Sequence, residues 1–163
     1  MKSKRLIFRF GLLILATVAI TSCSLDKKLA EAEEDLIREY IRENNVTVSP
    51  TASGLYYIET VEGAGVQPVA NDTCGLYFTV WFLNGIKLGE MLEGEPFQFE
   101  LGQNQVIKGF EEGVSMMKQG GKARLIIPSS LAYGKSGDGY YVPGYTPLLY
   151  EMELVYVIPG PAR

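Results

Sequence analysis

The strongest candidate for a functional site in the sequence is the run of residues 96–113. Every second residue at the start of this run is apolar, as in a half-buried strand: Phe97, Phe99 and Leu101. Apolar residues then recur every three or four positions, as on one face of a helix: Val106, Phe110, Val114 and Met117. The run contains no histidine, thiol or hydroxyl, so its chemistry is that of an apolar, aromatic surface. Taken alone, a strand and helix of this kind are most often ordinary core.

The rest of the chain narrows that chemistry further. It has no histidine and two cysteines, Cys23 and Cys74, so neither a zinc site nor a histidine-based triad can be built. Cys74 lies in an apolar run and is predicted to be buried core without a disulfide partner. We expect a protein that works without a metal or cofactor.

The first 23 residues resemble a bacterial lipoprotein signal. Basic residues precede an apolar run at 10–20 that is too short for a comfortable transmembrane span: Lys2, Lys4, Arg5 and Arg9. The sequence Ile20-Thr21-Ser22-Cys23 resembles the lipobox, whose cysteine is lipidated and becomes the mature N-terminus. A plain signal peptide or an uncleaved anchor is the alternative. We expect a signal peptide at 1–22, a lipidated N-terminus with helical spacer and linker at 23–53, and a globular domain at 54–163.

The charge of the expected mature chain excludes some partners. Removal of residues 1–22 leaves 11 Lys and Arg against 19 Asp and Glu, a formal charge of −8. Nucleic-acid binding depends on a basic surface, so nucleic acid is not an expected partner. Attraction to anionic lipid is disfavoured for the same reason, so membrane attachment should come from the acyl chains on Cys23.

An amphipathic helix is predicted from Asp26 to Asn45. Its apolar residues lie on roughly one face: Leu29, Leu36, Ile37, Tyr40 and Ile41. It is either a solvated spacer that docks loosely on the domain or a helix that binds a partner or a second copy. It has too few heptads for a coiled coil, so a monomer is expected. Pro50 and small polar residues indicate a linker after it.

The globular part is predicted to be an α+β domain. Strand-like runs cover Leu55–Thr60, Thr73–Leu83, Arg124–Ile127 and Leu148–Val157, besides the run that begins at Phe97. Asn84-Gly85 indicates a hairpin in which both turn positions want a positive φ. The pattern favours an antiparallel sheet of five or six strands with one short helix.

Several separated blocks, in the right order, resemble the FKBP-type peptidyl-prolyl isomerases. The resemblance covers about residues 54–157 and implies a sheet curved around one short helix. It is carried by Asn84-Gly85, Pro96-Phe97, Val106-Ile107-Lys108-Gly109-Phe110-Glu111-Glu112-Gly113, Gly121-Lys122-Ala123-Arg124, Ile127-Pro128, Leu131-Ala132-Tyr133-Gly134 and Pro147-Leu148-Leu149-Tyr150-Glu151-Met152-Glu153-Leu154.

The resemblance also implies a site for a substrate proline. Phe110 would form the floor of the pocket, the backbone N–H of Ile107 would donate to a substrate carbonyl, and Tyr133 would supply a hydroxyl donor. The remaining substrate contacts that it implies are Phe78, Leu88, Phe97, Val106, Tyr141, Val142 and Tyr150. The expected partners are proline-containing polypeptide segments.

The chain departs from the family pattern at the pocket. Leu88-Gly89 stands where the family normally carries Phe-Asp, so one aromatic wall is smaller and a carboxylate is missing. Phe78 replaces the usual tyrosine and Phe110 the usual tryptophan, which keeps the aromatic surface but removes two polar groups. The loop after Tyr133 is unusually rich in tyrosine.

The sequence thus predicts a lipid-anchored prolyl isomerase of a Gram-negative cell envelope, held at the outer membrane. A tethered binding or chaperone module with weak or no isomerase activity is the alternative that Leu88-Gly89 favours. A structural lipoprotein whose Asp26–Asn45 helix recruits a partner is a third possibility. Fold alone does not decide among these.

Overall fold

The computed structural model describes residues 24–161, which begin in a helix, α1, that runs to residue 43. Asn45 takes a left-handed conformation with φ 50°, and the N–H of Val46 donates to the carbonyl of Ile41 at 3.0 Å. This Schellman arrangement ends the helix two residues before the predicted end. Within residues 24–161, no helix combines the length and apolarity needed to cross a bilayer. Cys23 and the predicted signal peptide lie outside the described residues.

Six antiparallel strands form one sheet, as predicted. Its order is β1-β5-β6-β2-β3, and β4 pairs with the first half of β2 while β3 pairs with the second half. The strands are β1 Tyr56–Val61, β2 Thr73–Phe82, β3 Lys87–Met91, β4 Phe97–Glu100, β5 Lys122–Ile127 and β6 Leu148–Ile158. One short α-helix, α2, spans Lys108–Met116, and a 3₁₀ turn spans Ser129–Leu131. Val106, predicted on the helical face, lies just before α2.

The main core fills the concave side of the sheet under α2. The period of two in a strand sends alternate residues of β6 into this core: Leu148, Tyr150, Met152 and Leu154. Two glycines of α2 let the helix lie directly on β5. A Cβ at Gly109 would meet Ile127 Cγ2 at 2.4 Å, and one at Gly113 would meet Leu125 Cδ1 at 2.3 Å. Cys74 is buried in this core as a free thiol, as predicted.

Helix α1 covers part of the opposite face of the sheet. Ile37 is buried there together with Ile126 of β5 and Leu83, which follows β2. The predicted apolar face was therefore only partly right. Leu29 and Leu36 remain 41% and 39% exposed, whereas Ile37, Tyr40 and Ile41 belong to the cluster that packs on the sheet.

The turn between β2 and β3 differs from the prediction. Gly85 has φ 87°, but Asn84 does not have a positive φ. The N–H of Gly85 donates to the carbonyl of Phe82 at 3.0 Å, and the N–H of Phe82 donates to the carbonyl of Ile86 at 2.9 Å. This is a three-residue loop that ends in a left-handed glycine, so only one position needs a positive φ.

Candidate functional site

Five aromatic rings from the concave face of the sheet and from α2 form a cluster around Phe110. Its centroid lies 5.5 Å from that of Phe78, 5.7 Å from Phe99, 6.3 Å from Phe97 and 5.4 Å from Tyr150. All four contacts are edge-to-face, the arrangement that aromatic quadrupoles favour. The structure thus brings four of the predicted site residues together.

The cluster has a buried floor and more open walls. Phe110 and Tyr150 are buried, whereas Phe78 and Phe97 are half-buried. Three further predicted contacts pack as half-buried side chains against the same core: Leu88, Val106 and Ile107. The result is an apolar concavity with aromatic walls at the sheet surface.

Two hydrogen-bond donors belong to this region. Ile107 has extended backbone angles (φ −62°, ψ 146°) before α2 and accepts bonds from the N–H groups of Phe110 and Glu111. Its own N–H has no acceptor among residues 24–161. Tyr133 is 39% exposed. Burial raises the pKa of the Tyr150 phenol, and the nearby Tyr133 adds to this effect.

Burial also raises the pKa of Tyr133, and the charge of Asp138 adds to the effect. The Tyr133 phenol therefore stays protonated as a donor over the whole physiological range. The concavity combines apolar walls with two neutral donors.

A β-bulge orients Leu88 and Gly89. Val80 pairs with Gly89 and Trp81 with Lys87, so Leu88 is an extra residue in β3. Leu88 packs on the concave core. A Cβ at Gly89 would meet only Val80 Cγ1, at 3.9 Å, and Val80 also faces this core. A side chain at position 89 would therefore fit without a clash and face the concave side.

The loop from 133 to 147 carries the last two predicted substrate contacts, Tyr141 and Val142, and places them in different surroundings. Asp138 Oδ1 accepts hydrogen bonds from the N–H groups of Tyr140, Tyr141 and Val142 at 2.8–2.9 Å. These bonds lower the pKa of Asp138. Val142 is buried in the main core, but Tyr141 is 82% exposed and Tyr140 is 91% exposed. The structure does not bring the Tyr141 side chain to the aromatic cluster.

Sequence reasoning missed two residues that shape the region. Phe99 is 3% exposed and packs on both Phe97 and Phe110. The sequence predicted it as a core residue of the strand but not as part of the site. Its signal was the Phe97-Gln98-Phe99 alternation, which puts both rings on one face. Asp138 organises the loop, and the Asp138-Gly139 dipeptide was its turn signal.

Comparison with known proteins connects this geometry to a family. The family model for FKBP-type peptidyl-prolyl cis-trans isomerases matches residues 65–155, more than half of the chain. The chain belongs to this isomerase family. An FK506-binding protein of Neisseria meningitidis serogroup B is 39% identical over 105 residues, which cover 64% of this chain and 96% of that protein.

Other relatives extend the similarity toward the N-terminus. The FKBP-type isomerase FkpA of Aeromonas hydrophila is 35% identical over 141 residues, 85% of this chain and 51% of the relative. The crystal structure of FkpA from Escherichia coli superposes with a TM-score of 0.72 at 30% identity over 95% of this chain and 73% of that one. A peptidyl-prolyl isomerase from Pseudomonas syringae gives a TM-score of 0.69 at 29% identity, covering 82% and 96% of the two chains.

Proposed function

We propose that the concavity above Phe110 binds the proline ring of a polypeptide and catalyses cis-trans isomerisation of the preceding peptide bond. The observation that supports this most is the aromatic cluster itself. It is a buried floor with half-buried aromatic walls, and two neutral donors, the Ile107 N–H and the Tyr133 hydroxyl, belong to the same region. Such a site accepts an apolar ring and the carbonyl groups beside it.

The proposed mechanism requires no acid, base or nucleophile. Rotation about a peptide bond has a barrier of roughly 18–20 kcal/mol, because the planar form is stabilised by resonance. The twisted form is less polar than the planar form. A water-poor, apolar site therefore favours the twisted amide relative to the planar one, which is the differential binding that lowers a barrier. A donor to a neighbouring carbonyl holds the substrate in place during rotation.

One observation favours a second candidate, a tethered binding or chaperone module of low turnover. Gly89 provides no side chain on the concave side, and Leu88 provides a smaller wall than an aromatic ring. Binding of an extended chain needs only the apolar walls and the donors. Catalysis needs the twisted amide to be stabilised more than the planar one.

The deciding experiment follows cis-to-trans isomerisation of a Leu-Pro or Phe-Pro tetrapeptide by the full chain in detergent. We expect acceleration by the native protein, a strong loss in Phe110→Ala, and no change in Tyr140→Phe, whose ring is 91% exposed. Removing the Phe110 ring should also weaken binding of a proline peptide by about 1–3 kcal/mol. Peptide binding without acceleration by the native chain would establish the binding module instead.

We propose further that Cys23 is acylated and anchors the protein to the outer membrane of a bacterial envelope. The basic and apolar segments before Ile20-Thr21-Ser22-Cys23 support this, and the net charge of −8 after residue 22 leaves little electrostatic attraction to lipid. The proposed clients are proline-containing segments of unfolded or extended envelope proteins. Uncatalysed prolyl isomerisation takes tens of seconds, so a tethered isomerase would speed their folding.

A further inference from the structure

Helix α1 makes a two-point polar contact with the segment that carries Tyr133. Glu33 Oε1 accepts a hydrogen bond from the backbone N–H of Ser129 at 2.5 Å, and Glu33 Oε2 accepts one from the Ser129 hydroxyl at 2.6 Å. Ser129 is only 5% exposed. Both oxygens of one carboxylate are thus directed at one residue, 96 positions away in sequence. Hydrogen bonds to an ionised acceptor are short and strong.

Ser129 in turn holds the backbone on both sides of Tyr133. Its carbonyl accepts hydrogen bonds from the N–H of Ala132 at 2.9 Å and from the N–H of Gly134 at 2.7 Å. A movement of Ser129 would therefore shift the residues directly before and after Tyr133. Glu33 is thus linked through Ser129 to the backbone on both sides of Tyr133.

A second contact joins the start of α1 to the same loop. Asp26 lies 4.0 Å from Lys135. Burial raises the pKa of the Tyr145 phenol, and a hydrogen bond to Asp26 and the charges of Asp26 and Glu33 add to it. Tyr145 has a left-handed backbone with φ 56°, and its N–H donates to the carbonyl of Gly134 at 3.0 Å. The loop is therefore linked to α1 on both sides of the Tyr133 segment.

The contacts of Glu33 and Asp26 with the loop differ in kind from the packing in the second half of α1. Between α1 and the loop lies a cleft of about 600 Å³ lined by both elements, among them Glu33, Ile37, Ser129 and Tyr145. Ile37 packs on the sheet, whereas the contacts that cross toward the loop are polar. Packing of α1 on the sheet through Ile37 does not require the two hydrogen bonds between the Glu33 carboxylate and the buried Ser129, so these bonds are a separate feature of the helix.

We propose that Glu33 is a positioning residue for the isomerase site, which fixes Ser129 and through it the backbone that presents the Tyr133 hydroxyl. Helix α1 is then a working part of the site and not only a spacer between the membrane and the domain. The proposal rests on the proposed isomerase function for its catalytic consequence. Its conformational claim stands by itself.

The test compares three variants of the full chain in detergent. Glu33→Ala removes both acceptors, and Glu33→Gln retains one carbonyl oxygen for the Ser129 N–H. Glu31→Ala removes a carboxylate of the same helix whose only ion pair among residues 24–161 is with Lys27, at 3.7 Å. Amide hydrogen exchange at Ala132 and Gly134 and tetrapeptide isomerisation are measured on each. Exchange at Leu125 and Ile127 in β5 reports whether the domain remains folded.

We expect Glu33→Ala to raise exchange at Ala132 and Gly134 roughly 10-fold while β5 stays protected. Its kcat should fall about 2- to 5-fold with little change in KM, because a displaced donor is felt mainly in the transition state and costs no more than removal of the hydroxyl itself. Glu33→Gln should recover most of both effects, and Glu31→Ala should match the native chain.

Unchanged exchange at these two amides in Glu33→Ala would overturn the proposal. Raised exchange with an unchanged kcat would overturn it as well, since Glu33 would then stabilise the loop without positioning the donor. An inactive native chain would instead contradict the proposed function. The exchange measurement would then decide by itself whether Glu33 holds the backbone around Tyr133.

Discussion

At the scale of single residues, the site depends on shape and neutral donors more than on charge. The rings around Phe110 supply the surface, and the Ile107 N–H and the Tyr133 hydroxyl supply the polar contacts. Gly89 stands where the family resemblance leads one to expect a carboxylate, and it offers no side chain on the concave side. Two substitutions test these two aspects separately.

The first prediction concerns Gly89→Asp. The site has room for it, since a Cβ at this position would meet only Val80 Cγ1 at 3.9 Å. A carboxylate there would offer a charged acceptor to an N–H of the bound chain, which is worth about 1.5–3 kcal/mol. We expect kcat/KM for a Leu-Pro tetrapeptide to rise by about tenfold or more. Gly89→Ala is the control, and an equal rise in that variant would assign the effect to wall area instead of the carboxylate.

The second prediction concerns the hydroxyl of Tyr133. Tyr133→Phe removes a neutral donor but keeps the ring, so kcat/KM should fall by about 2- to 10-fold, which corresponds to 0.5–1.5 kcal/mol. Because burial and the charge of Asp138 raise the pKa of Tyr133 above its ordinary value of 10.0, the native rate should not decline through loss of this proton below about pH 9. A rate that is the same in native chain and variant from pH 6 to pH 10 would remove Tyr133 from the mechanism.

At the scale of elements, close approach of α2 to β5 sets the depth of the concavity. Gly109 and Gly113 lie four residues apart on the helix face that meets the sheet, and neither has room for a Cβ. Phe110, next to the first of them, is thereby held against the rings that rise from β2, β4 and β6. A wider separation would lift the floor away from its walls.

The third prediction tests this helix-to-sheet contact. Gly113→Ala gains helix propensity of about 0.5–1 kcal/mol, but overpacking against Leu125 costs about 1–3 kcal/mol. We expect a net loss of about 1–2 kcal/mol in the free energy of unfolding, measured by urea denaturation. Lys108→Ala, at an exposed position of the same helix, is the control and should change stability by less than about 0.5 kcal/mol. Equal or greater stability in Gly113→Ala would show that the helix can move outward freely.

The elements themselves could be read from the sequence because each repeats a short period. Alternation along β2, β4 and β6 and the three-to-four spacing in α2 depend on local geometry, so the strands and the short helix were predictable. The ring cluster was expected only because the chain resembles a known family. The β2–β3 turn was predicted as a two-residue turn, but it is a three-residue loop. Asn84-Gly85 suits a two-residue turn, but the bulge at Leu88 shows that the pairing register of the strands also decides the turn.

What could not be read was the contact between distant segments. Nothing in the spacing of Glu33 or of Ser129 reveals that they meet, because the bond joins residues 96 positions apart. The exposure of Leu29 and Leu36 was equally hidden, since it follows from where α1 crosses the sheet and not from its own period. The place of Tyr141 depended on the Asp138 turn, which directs the ring to solvent although the next residue, Val142, is buried.

At the scale of the whole molecule, α1 stands between the proposed anchor and the candidate site. The described part of α1 starts at Ser24, the residue after Cys23 in the sequence, and its second half packs on the sheet through Ile37. Its polar contacts with the loop at Ser129 and Lys135 lie nearer its start. A lipid anchor at Cys23 would thus hold the domain close to the membrane through a helix that is itself part of the fold. That the protein is a monomer remains a prediction.

The last prediction tests the anchor. Each methylene of an acyl chain buried in the bilayer contributes about 0.8 kcal/mol, so two or more chains on Cys23 would hold the protein on the membrane without help from charge. We expect the mature protein expressed in a Gram-negative host to begin at Cys23 with the added mass of acyl groups, and to sediment with membranes. Cys23→Ala should lose the acyl mass and membrane binding, whereas Cys74→Ala, which removes the buried thiol of the main core, should retain both. Membrane binding by Cys23→Ala with residues 1–22 still attached would instead identify the N-terminus as an uncleaved apolar anchor.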